Sequence, residues 1–117
     1  MKLVTLLLML TSSVCFGQVT PNEVYEKLGY PPKTDTALTE EAHYYSSKIL
    51  TELGLFGSFN MPSSDLGELT AYTGTGEEVL ELIESDKAYY KGAKQVFVYS
   101  NYDIDTEWTV VLVYIVN

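Results

Sequence analysis

Glu68 and Asp86 are the side chains of this 117-residue sequence whose type and setting invite a chemical reading. Glu68 follows Gly67 and precedes the aromatic Tyr72, while Asp86 follows Ser85 at the end of a helical pattern. Two carboxylates that share a cleft can perform general acid/base chemistry when burial drives their pKa values apart. A paired-carboxylate hydrolase needs them roughly 5–10 Å apart across an open cleft. The sequence supplies no nucleophile, second base or oxyanion device to accompany them. Plainer roles are open to both: Glu68 as a hydrogen-bonded acid tying a strand to the neighbouring loop, and Asp86 as the residue that ends its helix. Tyr44, Tyr45, Tyr72, Tyr89 and Tyr90 add phenols that either line an amphipathic groove or pack in core and rim. His43 is the single histidine. Its spacing from Ala42 and Tyr45 puts it at the edge of a buried helix face, as a partly exposed structural residue.

Composition narrows the partners. Lys2, the apolar run Leu3–Leu10 and the small residues around Cys15-Phe16-Gly17 predict a signal peptide over residues 1–17 with cleavage after Gly17. A lipid anchor on Cys15 competes with this, but Val14 is branched where such a site wants glycine or alanine. Cleavage removes the only cysteine, so packing alone must hold the remaining 100 residues, 18–117, as one exported domain. That domain carries 16 acids against six lysines and no arginine, a formal charge of −10. Such a field disfavours nucleic acid and anionic membranes, because no cationic patch exists to displace counterions from phosphates. No segment after the signal peptide offers the roughly 20 apolar residues that a membrane span needs.

The elements that must position these residues are legible from caps and periodicity. Thr20-Pro21-Asn22-Glu23 is a capping box opening a short helix that ends near Gly29, and Tyr30-Pro31-Pro32 forces an extended connection. Leu38, Ala42, Tyr45, Ile49 and Leu53 recur at helical steps over 36–53, with Gly54 as the stop. Residues 54–67 read as loop. Thr75-Gly76-Glu77-Glu78 opens another helix, with Val79, Leu82 and Ile83 facing inward. Gln95–Ser100 and Trp108–Val116 read as strands joined by the hairpin connection 101–106. The second is nearly all apolar, so it is expected to be central and covered on both faces. The whole predicts an α+β domain, an α/β/α layered sandwich with a small antiparallel sheet covered by helices.

Several segments, in order, resemble the CAP superfamily of cysteine-rich secretory, antigen-five and pathogenesis-related proteins (the SCP domain). Asn22 and Tyr25 with Gly29-Tyr30-Pro31-Pro32 are similar to its opening motif, and Leu38–Ser46 to its first long helix. Gly67-Glu68-Leu69-Thr70-Ala71-Tyr72 resembles its Gly-Glu-Asn-Leu-Ala-Trp strand, the stretch from Glu78-Val79 through Asp86 and Tyr90 the next helix, and Trp108–Tyr114 the closing strand. The resemblance implies that Glu68 stands at the first acid of the family's metal site and Asp86 about at the second. Both metal histidines are missing: none lies near Gly57-Ser58-Phe59, and Lys91–Gln95 replaces the family's Gly-His-Phe-Thr-Gln segment. No metal or other cofactor is therefore expected. The resemblance implies a secreted, non-catalytic binding module, for a sterol or other lipid, with Glu68, Tyr72, Asp86 and Tyr89 binding the ligand. Two alternatives are a scaffold docking an extracellular protein through acids such as Asp103, Asp105 and Glu107, and a degenerate carboxylate-pair hydrolase. Loss of the segment before Val96 would leave Gln95–Ser100 uncovered, so the chain is expected to be a monomer or a weak dimer paired through that edge.

Overall fold

A computed structural model of the chain describes residues 18–116. The signal-peptide and lipid-anchor expectations, on residues 1–17, lie outside the described residues. The elements run Pro21–Leu28 (α1), Thr36–Phe56 (α2), Glu68–Gly74 (β1), Gly76–Ser85 (α3), a 3₁₀ turn Lys87–Tyr90, Gln95–Asp103 (β2) and Trp108–Val116 (β3). Both capping boxes form. Thr20 Oγ1 accepts the Glu23 N–H at 3.3 Å while Glu23 Oε1 accepts the Thr20 N–H at 3.1 Å, and Thr75 and Glu78 exchange the same pair of bonds. The α1 helix ends at Gly29, in the left-handed region at φ 82°.

Two helix details differ from expectation. The α2 helix runs through Gly54 and stops at Gly57, at φ 73°, whose N–H bonds the Leu53 carbonyl. One glycine inside a helix costs only about 1 kcal/mol against alanine. Packing of Leu50 and Leu53 on the sheet offsets that cost, so the helix ends only where the left-handed turn occurs. In α3, Val79 and Ile83 are buried but Leu82 is 48% exposed. Successive helical residues lie about 100° apart, so a stripe centred on Val79 and Ile83 carries Leu82 to its outer edge.

The three strands form one antiparallel sheet in the order β1-β3-β2, with β3 central as its apolar run requires. Side chains alternate across it. Val111, Val113 and Ile115 join Val24, Tyr25, Val79, Ile83 and Tyr90 in one core. Val110, Leu112 and Tyr114 join Leu38, Ala42 and Ile49 of α2 in the other. The chain is thus a small α+β domain of three helices and a three-stranded antiparallel sheet. β2 also runs further than expected, to Asp103, because Asn101, Tyr102 and Asp103 find partners in Val110, Thr109 and Trp108. The hairpin loop is therefore 104–107, closed by the Glu107 N–H on the Asp103 carbonyl at 2.8 Å with Glu107 at φ 62°.

The outer edge of β2 is occupied by side chains at two points. The Val98 N–H bonds the Tyr25 hydroxyl at 2.9 Å, and the Tyr102 N–H bonds Asn101 Oδ1 at 2.9 Å. Side chains thus occupy donors that another strand would otherwise recruit. At the start of β1, Gly67 lies against the end of β3, where an added Cβ would come 2.7 Å from the Ile115 carbonyl oxygen. The atom met is backbone and not the flexible end of a side chain, so it cannot yield cheaply. Gly67→Ala is expected to lower the unfolding free energy by about 1–3 kcal/mol. Urea denaturation checks this, and an unchanged midpoint would show that the strands separate freely there.

Candidate functional site

The four residues expected to bind a ligand are brought together where β1 meets the end of α3 and the 3₁₀ turn. Glu68 and Tyr72 share one face of β1 by the two-residue period, the face that carries the α1 and α3 core. Asp86 is the C-cap of α3 and the N-cap of the 3₁₀ turn, and that turn swings Tyr89 and Tyr90 back over β1. Tyr89 donates its hydroxyl to Glu68 Oε1 in a short hydrogen bond. The Tyr72 hydroxyl donates to Asp86 Oδ2 at 2.8 Å and lies 2.6 Å from the Tyr90 hydroxyl. Since the single Tyr72 proton is committed to Asp86, Tyr90 must donate to Tyr72. The outcome is a relay from Tyr90 through Tyr72 to Asp86, with the rings of Tyr89 and Tyr90 edge to face at 5.0 Å.

The relay is a buried polar network with its members satisfied, the condition under which such networks rigidify a core. Tyr72 and Tyr90 are buried, whereas Glu68, Asp86 and Tyr89 lie at its exposed rim. Burial, then the bond donated to Asp86, hold the Tyr72 phenol well above its ordinary range. Tyr90 is raised chiefly by burial. The hydrogen bond to Glu68 pushes Tyr89 up to about 12. Sequence reasoning did not include Tyr90 among the binding residues. Tyr90 stands four residues beyond Asp86, a spacing that could have marked it. Tyr30 braces the same turn, donating to the backbone carbonyls of Tyr90 and of Ala93, the latter at 2.9 Å.

The wider tyrosine groove does not form. Tyr44 and Tyr45 belong to α2 on the opposite side of the sheet, Tyr44 largely exposed and Tyr45 donating to the Ser63 carbonyl at 2.9 Å. His43 is also on α2, exposed, with Nδ1 2.9 Å from the Tyr99 hydroxyl. The sheet therefore separates the only imidazole from both carboxylates. On that side the buried Tyr114 hydroxyl has no hydrogen-bond partner among the described residues, and burial, then nearby Glu41, raise its pKa well beyond the phenolic range. Among the described residues no three histidine, cysteine or carboxylate side chains are grouped to hold a metal ion, and no helix is long and apolar enough to cross a membrane.

Comparison with protein-family models, curated proteins and solved structures finds no match to this chain.

The raised phenols couple stability to alkaline pH. In the unfolded chain tyrosines lose their protons near pH 10, whereas the folded chain retains them at Tyr72, Tyr90 and Tyr114. Their contribution is intact below pH 10 and is lost as pH rises above it, at about 1.4 kcal/mol per pH unit for each. Tyr72→Phe is expected to cost about 1–3 kcal/mol at pH 7, by stranding the Tyr90 hydroxyl, and to make the alkaline slope shallower by one proton. Urea unfolding from pH 7 to 11 reads both quantities. Identical slopes for the two proteins would show that Tyr72 ionises freely.

Proposed function

We propose that this chain is an exported, non-catalytic interaction module with a CAP/SCP-like α/β/α sandwich, which docks a basic extracellular protein through its acidic surface. One observation carries this: the two carboxylates suited to chemistry are engaged by phenols of the same chain, while the acids of the β2–β3 hairpin remain open beside apolar surface. Asp105 and Glu107 are exposed, Ile104 is 77% exposed and Trp108 39% exposed. Among the described residues the ion pair formed is Lys27–Glu84, at 3.3 Å, so the hairpin acids are not neutralised within the domain. Electrostatic complementarity of this kind speeds encounter and selects partners of opposite sign. The position of His43, across the sheet from Glu68 and Asp86, further disfavours the degenerate-hydrolase alternative.

A sterol- or lipid-binding module is the second reading. It is favoured by a cleft of about 560 Å³ between α1 and the 3₁₀ turn, where Leu28 and Ala88 supply apolar floor and Lys87 and Lys91 supply cations for an acidic headgroup. On that reading the ligand lies beside the Tyr72 relay and not within it.

Amide NMR of the labelled protein separates the two. Decalysine is expected to shift resonances confined to 103–108, with the effect fading as ionic strength rises through the range where the Debye length falls from about 30 to 8 Å. Shifts spread over Glu40, Glu77 and other distant acids would mean unselective attraction and would remove the docking function. Saturable shifts at Leu28, Lys87 and Lys91 on adding oleate would favour the lipid reading.

A further inference from the structure

A surface cleft of mixed polar and apolar lining lies where three elements meet: the end of β1, the start of α3 and the hairpin. The strand register makes it. Gly74 pairs with Thr109 and Thr73 with Val110, so the last turn of the hairpin comes to rest against the N-cap of α3. The resulting cleft of about 380 Å³ is walled by Trp108, Glu107 and Thr106 on one side and by Thr73, Thr75 and Glu78 on the other.

Each wall is held in place by a local constraint. Glu78 is fixed because its Oε1 accepts the Thr75 N–H at 3.1 Å, which leaves Oε2 outside that bond. The same bond holds its carboxyl below the usual range, so it stays ionised. Gly74 adopts φ 143° with the Glu78 side chain against it, since an added Cβ would lie 3.4 Å from Glu78 Cβ and 3.5 Å from Oε1. Glu107 sits in the left-handed region at φ 62°, where a side chain other than glycine is strained, and the Trp108 N–H bonds Thr106 Oγ1 at 3.3 Å. Strained positions of this kind persist where the surroundings over-determine them and are found at binding sites.

The cleft's chemistry selects its occupant. It is lined by Glu78, Glu107, three threonines and Trp108, the only tryptophan of the chain; no lysine lines it, and neither Glu78 nor Glu107 forms an ion pair among the described residues. The N-terminus of α3 contributes a partial positive charge of about one half, but Glu77 and Glu78 in its first turn outweigh it. The net field favours a cation, and an indole face is the best aromatic partner for one. A guanidinium fits better than an ammonium, because it is flat, weakly hydrated, stacks on aromatic rings and offers forked donors that match carboxylates.

We propose that the cleft between Trp108, Glu107 and Glu78 is the anchor site for an arginine side chain of the docking partner, the guanidinium lying against the indole and donating to the two carboxylates. This rests on the acidic docking function above and names the residue type that it recognises.

Trp108 is the only tryptophan, so its fluorescence reports on this cleft alone. Acetyl-Gly-Arg-Gly-amide is expected to change the emission saturably. The citrulline peptide, equal in shape but uncharged, is expected to bind at least about tenfold more weakly, and Glu107→Gln to weaken the arginine peptide by a similar factor. Glu40→Gln on α2 serves as the control and should leave binding unchanged. No saturable change, equal binding of the citrulline peptide, or a response to xylotriose in place of arginine would overturn the assignment. If decalysine still shifts 103–108 in that case, docking survives and only the arginine anchor fails. If neither probe acts, both fail together.

Discussion

The strand β3 has to be covered on both faces and paired on both edges, and the rest of the domain follows from that constraint. Its residues from Thr109 to Ile115 are buried without interruption. An apolar run of this kind is stable only when each face meets a separate hydrophobic layer. The α2 helix supplies one, and α1 with α3 the other. β1 and β2 supply the pairing, and their positions in turn decide where α3, the 3₁₀ turn and the hairpin loop come to lie.

A chain with one cysteine cannot staple itself with an internal disulfide, and tyrosine hydroxyls tie its elements together instead. Tyr25 joins α1 to the edge of β2, Tyr30 joins the α1–α2 connection to the end of the 3₁₀ turn, and Tyr72 with Tyr90 joins β1 to that turn. Each combines a large ring, buried or half-buried, with directional hydrogen bonds, so apolar area and orientation come from the same side chain. The arrangement also explains why Glu68 and Asp86 can sit beside a buried cluster without an opposing cation: phenol donors satisfy them from within the chain.

Much of this was legible in the sequence wherever the cause was local. The boxes at Thr20 and Thr75 place helix starts because the bonds that make them span three residues, and the apolar run of β3 announces a central strand. Local signals failed where a distant partner decides. Gly54 looks like a stop until Leu53 is seen packed on the sheet, and Asn101–Asp103 look like a turn until Val110, Thr109 and Trp108 appear opposite them. At the site, Glu68, Tyr72, Asp86 and Tyr89 do meet. What the sequence did not disclose is that their hydroxyls and carboxylates satisfy one another, because that depends on the 3₁₀ turn folding Tyr90 back beneath Tyr72. The cleft at Trp108 was illegible for a similar reason, since it exists only through the register that sets Gly74 opposite Thr109.

That register also sets an order of assembly. β2 and β3 are joined by a short loop, so pairing Asp103 with Trp108 closes almost no chain. Joining Glu68 to Ile115 must close a loop containing α3, the 3₁₀ turn and all of β2. Loop entropy penalises the second step more than the first. The hairpin is therefore the natural nucleus, with β1 and its tyrosine relay docking last. The relay then acts as the latch of folding, and thermal fluctuations that release β1 open the Glu68–Tyr89 end of the sheet before they disturb the hairpin.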